Sequence, residues 1–137
     1  AASDVYKRQN LEVSIAPTHT NSKIVLIAMV SSTCSHVTSF GFFRDGNLIT
    51  SGLSGNSNVS NGAVTTQYEG SGYDNASYMY SVPVHYHDSP GTTNAVTYTV
   101  GASASWGGSI RDLYINDRDS NDMRGVSTLL ALEVRGN

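Results

Sequence analysis

The sequence predicts an all-β protein, an antiparallel sandwich of about nine to ten strands whose simplest closure is a jelly roll. Three observations carry this prediction. Short runs alternate apolar and polar residues with a period of two, the mark of a strand with one buried face. Turn residues (Gly, Pro, Asn, Asp) recur between these runs at fairly even spacing. No segment combines helical periodicity with capping residues. At 137 residues the chain makes one domain, long enough to bury roughly two-thirds of its unfolded surface without staples.

The stretch Tyr80–Val100, YSVPVHYHDSPGTTNAVTYTV, sets the pattern. Val82, Val84 and Tyr86 alternate with Pro83, His85 and His87, and Val96, Tyr98 and Val100 alternate with Thr97 and Thr99. Between them lies Asp88-Ser89-Pro90-Gly91. Proline presets φ and glycine tolerates positive φ, so the two runs are expected to form a hairpin.

Taken in order, residues 1–9, AASDVYKRQ, do not share this pattern. They resemble the translated read-through of a sequencing adapter, which implies that the natural amino terminus lies upstream and that residues 10–137 form the single domain. Leu11, Val13 and Ile15 open the first strand, and Pro17–Ser22 is a turn-rich connection. Lys23–Ser31 is apolar on both faces, Ile24, Leu26, Ala28 and Val30 against Val25, Ile27 and Met29. Such a strand must be covered on both sides. In a domain of this size without helices, the second cover is another subunit.

Val37–Arg44 carries Phe40, Phe42 and Phe43, and Asp45-Gly46 is a strong two-residue hairpin signal. Leu48–Ser51 returns, Gly52–Gly62 is a polar loop, Ala63–Tyr68 is a strand, and Glu69–Ala76 is a second polar loop. After Tyr80–Val100, the segment Gly101–Ser109 holds the single tryptophan, Trp106. Leu113 and Ile115 mark a short strand before the acidic turn Asn116–Asp122. In the last strand Val126, Thr128, Leu130, Leu132 and Val134 share one face, and Leu129 and Ala131 put apolar groups on the other.

If each strand reverses the last, alternate loops share an end. Pro17–Ser22, Asp45–Gly46, Glu69–Ala76 and Ala104–Ser109 are then expected at one end, gathering Tyr68, Tyr73 and Trp106. Ser32–His36, Gly52–Gly62, Asp88–Asn94 and Asp117–Arg124 are expected at the other.

Composition excludes several function classes. The net charge is −3 and only 14% of residues are charged, with no basic patch, so no nucleic-acid partner is expected. No apolar run reaches the roughly 18 residues of a membrane span, so no membrane insertion is expected. The single cysteine, Cys34, rules out an internal disulfide and reads as a small buried hydrophobe. The sequons at Asn58 and Asn75 matter only to a chain that passes through a glycosylating pathway.

His85-x-His87 is the sharpest constellation: imidazoles at i and i+2 of a strand share a face and can share a metal. In a trimer three such pairs around the axis would supply six nitrogens. The plain reading is two polar members of an alternating strand, and no cofactor is expected. Asp112, Asp117, Asp119 and Asp122 lack the spacing of a calcium loop and read as turn formers, with Arg124 expected to pair one of them. No Gly-x-Ser-x-Gly elbow is present, and Glu69 and Asp74 in one Gly-rich loop are solvated decoration rather than a glycosidase pair. No enzyme activity is expected. Trp106, Tyr73 and Tyr68, with Asp74 and Asn75 as polar partners, suit binding instead: aromatic faces stack on sugar rings or anchor a protein epitope, and short polar side chains adapt. The competing reading of Trp106 is a cap on the sandwich core.

Five segments, LEVSIAPTHTNSKIVLIAMV, FRDGNLITSG, VPVHYHDSPGTTNAVTYTV, LYIND and RGVSTLLALEV, cover most of residues 11 to 135. In order and spacing they resemble bacteriophage tail-fibre or receptor-binding head domains, which look like the trimeric jelly rolls of the tumour-necrosis-factor and complement-head type. The resemblance implies a homotrimeric, extracellular virion component. It would sit beyond an upstream fibre shaft at the fibre tip and bind a host cell-surface glycan or protein. It implies a scaffold role for Arg124-Gly125. A decoration module without a receptor, or a free carbohydrate-binding lectin-like module, are the alternatives.

Overall fold

The computed structural model describes residues 7–34, 37–53, 62–68, 78–106, 109–110, 113–117 and 124–136. These form ten strands and no helix: β1 Lys7–Ile15, β2 Lys23–Cys34, β3 Val37–Arg44, β4 Asn47–Leu48, β5 Thr65–Tyr68, β6 Tyr80–Asp88, β7 Val96–Trp106, β8 Ser109–Ile110, β9 Leu113–Ile115 and β10 Thr128–Val134. All pairings are antiparallel. One sheet runs β1-β7-β3-β4, with β5 also on β3 and β8 on β7; the other runs β10-β2-β6, with β9 also on β2. β1 begins at Lys7, so three of the nine leading residues set apart above are in a strand, Lys7 opposite Ala102 and Arg8 opposite Gly101.

The two sheets face each other across one apolar layer. Ile24, Leu26, Ala28 and Val30 from β2 and Val82 and Val84 from β6 meet Phe40, Phe42, Val96, Tyr98, Val100 and Ala102 from the opposing sheet. Alternation predicted which residues these are. It did not predict which strands pair. The expected Tyr80–Val100 hairpin does not form: β6 bonds to β2, and β7 bonds to β1 and β3. Period-two patterning says that one face of each run is buried, and two runs stacked across a core satisfy it as well as two runs side by side. The Asp45-Gly46 hairpin is as expected, with Phe43 opposite Leu48 and φ of 49° and 84° at the two turn residues, the both-positive turn that matches strand twist.

The loop ends also differ from the strict count. β4 and β5 both lie antiparallel to β3, at Phe43–Arg44 and Val37–Phe40, so they run the same way as two pieces of one edge strand. The segment 49–64 is therefore an insertion and not a reversal, which shifts the parity of everything after it. Pro17–Ser22, Asp45–Gly46 and Asp88–Asn94 share one end, since Ile24 pairs with Asp88 and Arg44 with Tyr98. The ends of β5 and β7 lie at the other, with the start of β3: Val37 pairs with both Tyr68 and Ser105.

A polar contact ties the sheets together at each end. At the first, Asp88 Oδ2 accepts from Arg44 Nη1 at 2.6 Å and from the Tyr98 hydroxyl at 2.7 Å. At the second, the buried Ser32 hydroxyl donates to Gln67 Oε1 at 2.6 Å. Burial, and then the bond to Asp88, push the Tyr98 phenol well above its ordinary range. A raised pKa stabilises the fold fully below the unfolded value of about 10, and that contribution is lost as pH rises through the native value. We expect at least one of the eight tyrosines to stay protonated in native protein at about pH 11 and to ionise with alkaline unfolding, as read by ultraviolet difference absorbance. Complete ionisation before circular dichroism changes would contradict this.

Gly41 marks a close approach. A Cβ there would lie 2.8 Å from the Gly62 carbonyl oxygen and 2.9 Å from Thr50 Oγ1, and these two atoms are bonded to each other at 2.6 Å. Gly41→Ala is therefore expected to destabilise by about 1–3 kcal/mol, read as a lower urea midpoint with unchanged slope. A midpoint equal to the parent's would show that the inserted loop yields freely.

Candidate functional site

The two outer faces of the sandwich differ in chemistry. On the sheet holding β1, β3 and β7, the outward positions include Glu12, Ser14, Thr66 and Thr97, with Ser14 and Thr97 hydroxyls bonded across strands at 2.7 Å. Phe43 and Leu48, opposite each other on β3 and β4, add a half-buried apolar pair at its edge. On the β10-β2-β6 sheet the outward positions are mostly apolar. Ile27 is 38% exposed, Met29 41%, Leu130 48%, Leu132 46% and Val134 55%.

Register organises these residues into rows. Leu132, Val25 and His87 lie opposite one another across β10, β2 and β6; so do Leu130, Ile27 and His85; so do Thr128, Met29 and Pro83. The face is thus an apolar stripe, two strands wide, edged on β6 by two imidazoles and a proline. The sequence reading had this stripe half right. Val25, Ile27 and Met29 point out as expected. In β10, whose sequence left the inward face open, Leu129 and Ala131 pack on the core, and Leu130, Leu132 and Val134 take the outer side. Both faces of β10 are apolar, so alternation alone did not say which one faced inward.

His85 and His87 sit on the same outward face and are exposed, as the i, i+2 spacing requires. Among the described residues no group of three or more His, Cys, Asp or Glu side chains comes together to hold a metal. The pair within one chain offers two ligands.

Of the residues expected to bind, Tyr68 ends β5 and Trp106 ends β7, where its backbone pairs with Ser109. With Val37 pairing both Tyr68 and Ser105, these two positions flank β3 at one end of the sheet. They share an end with each other, but it is the end opposite Pro17–Ser22 and Asp45–Gly46, with which the loop count grouped them. Tyr73, Asp74 and Asn75 lie outside the described residues, as do Glu69, Asp112, Asp119 and Asp122. Arg124 forms an ion pair with Asp117, as the turn reading expected, and their backbones form an isolated bridge. Cys34 is fully buried.

Lys23, Tyr86 and Val134 were not singled out in the sequence. With Val25, His85 and His87 they line a groove of about 480 Å³ at the end of the apolar face. The signal was present, since Lys23 shares the outward phase of Val25, but the pairing of Lys23 with Val134 is a matter of register. The Tyr86 ring stacks on His87 with centroids 5.8 Å apart and on Phe42 at 6.5 Å, so one wall of the groove is backed by the core.

No protein-family model matches the chain, and comparison with curated proteins finds no match.

Proposed function

We propose that this chain is the jelly-roll head domain of a bacteriophage tail fibre, a homotrimer that binds a host cell-surface glycan or protein without catalysis. The observation that carries self-association is the asymmetry of the two outer faces. One exposes Glu12, Ser14 and Thr66 and keeps its apolar pair, Phe43 and Leu48, half-buried; the other leaves Ile27, Met29, Leu130 and Leu132 in water, and contiguous apolar patches of this kind mark interaction surfaces. A second copy of the chain is the partner that needs no other gene product. The strand order, with each sheet built from strands distant in sequence, supports the jelly-roll reading. The phage assignment rests on the resemblance of the ordered segments. Receptor contact is assigned to Trp106 and Tyr68, at the end of the sheet where β5 and β7 finish, together with Tyr73, Asp74 and Asn75, which lie outside the described residues.

The test is adsorption. Fibres carrying Trp106→Ala and Tyr73→Ala should stay folded and trimeric by light scattering and lose attachment to host cells. Retained attachment removes the receptor role from these residues, and loss of assembly alone would favour a structural or decoration module.

A further inference from the structure

The groove at the end of the apolar face has a chemistry of its own. Three of its lining residues, Lys23, His85 and His87, carry basic nitrogen, and none carries a carboxylate. The nearest acids are turned elsewhere. Asp88 is bonded to Arg44 and Tyr98, and Glu133 accepts from the Thr18 amide at 2.7 Å and its hydroxyl at 2.9 Å. Arg135, exposed, follows β10 at the same end. Val25 and Val134 add apolar surface and the Tyr86–His87 stack an aromatic one. A volume of about 480 Å³ suits a small molecule. Lys23 and Val134 are the terminal positions of β2 and β10, so the groove opens where the apolar stripe gives out.

We propose that this groove binds a carboxylate-bearing sugar ring, a uronic-acid type of ligand. The carboxylate meets the Lys23 ammonium and the imidazoles in charge-assisted hydrogen bonds, and the apolar face of the ring lies on Val25, Val134 and the aromatic stack. An ammonium beside the two imidazoles favours an anion over a metal cation at this place. Asp88 and Glu133 are engaged by their own partners and do not compete for the Lys23 ammonium. The site goes beyond the receptor reading and does not need it. The same chemistry serves a free sugar acid or an acidic residue of a polysaccharide.

The experiment follows the imidazole proton resonances of the four histidines during titration with glucuronate, with glucose as the neutral ring, acetate as the ringless acid, zinc alone as the cation, and an oligoglucuronan as the polymer. The proposal expects saturable shifts of two histidines with glucuronate, weaker shifts with acetate and none with glucose. Binding should be weakened about tenfold in Lys23→Gln and in His87→Gln. Tighter binding of the oligomer than of the monosaccharide identifies a polysaccharide source, and equal binding a free acid; both support the site. Equal shifts with glucose, no shift with glucuronate, or a response to zinc only would overturn it. Both variants change exposed side chains, and circular dichroism checks their fold. Light scattering on the same samples reports self-association separately, so a failed groove and a failed trimer give different results.

Discussion

If the apolar face assembles copies of the chain as proposed, Ile27→Glu and Leu130→Glu are each expected to give folded single chains. The two side chains lie opposite each other across β2 and β10, 38% and 48% exposed. In an isolated sandwich a carboxylate at either position stays in water. The cost to folding is then the loss of strand propensity and a little packing, about 1 kcal/mol or less. In an assembly the same carboxylate is driven into a dry contact; Lys23 lies at the far end of the stripe, and the His85 imidazole at the edge of the Leu130–Ile27 row offsets only part of the cost. Burying an unpaired charge costs several kcal/mol, which weakens association by more than about 100-fold. Light scattering at micromolar concentration should therefore report a mass near 14.6 kDa for either variant and a multiple of it for the parent. Thr66→Glu, on the polar outer face of the other sheet, is the control and should keep the parent's mass. A parent already at single-chain mass, or variants that stay assembled, would remove the assembly reading from this face.

Asp88→Ala is expected to cost about 2 kcal/mol of folding stability. One carboxylate oxygen serves Arg44 from β3 and Tyr98 from β7, so the carboxylate joins the sheet that contains β6 to the sheet that contains both donors. Removing it strands the fully buried Tyr98 and leaves the guanidinium unpaired. The side chains of Arg44 and Asp88 keep 29% and 13% exposure, so water repays part of the loss, which holds the figure below that of a deeply buried pair. Tyr98→Phe should cost less when Asp88 is already alanine than in the parent, with a coupling of about 1 kcal/mol between the two positions. Urea denaturation of the four proteins measures this. Strict additivity would show that the contact adds nothing to the fold.

Much of this architecture was legible in residues 11–134. The buried positions of β2, β6 and β7 follow from alternation because a pleated strand can present only two faces, and Asp45-Gly46 specifies its own turn through two positive φ angles. The doubly apolar character of β2 also announced an uncovered face. What alternation could not carry is partnership. It left Tyr80–Val100 as a hairpin, although its two halves lie in different sheets. It left residues 49–64 as a reversal, although they interrupt one edge strand. It left β10 ambiguous, because both of its faces are apolar.

The candidate sites divide along the same line. His85 and His87 were visible because they are two apart on one strand, and Tyr68 and Trp106 share one end of one sheet, although it is the end opposite the Asp45–Gly46 turn with which the loop count grouped them. The groove was not visible, because its lining comes from the start of β2, the end of β10 and the end of β6. Local sequence determined which side chains turn inward, since that depends only on strand geometry and the cost of exposing apolar surface. Only the tertiary structure decided which strands lie side by side, because hydrogen-bonded register between strands distant in sequence is set by how two whole sheets pack. That packing brought Lys23, Val134 and His87 together and left one outer face apolar.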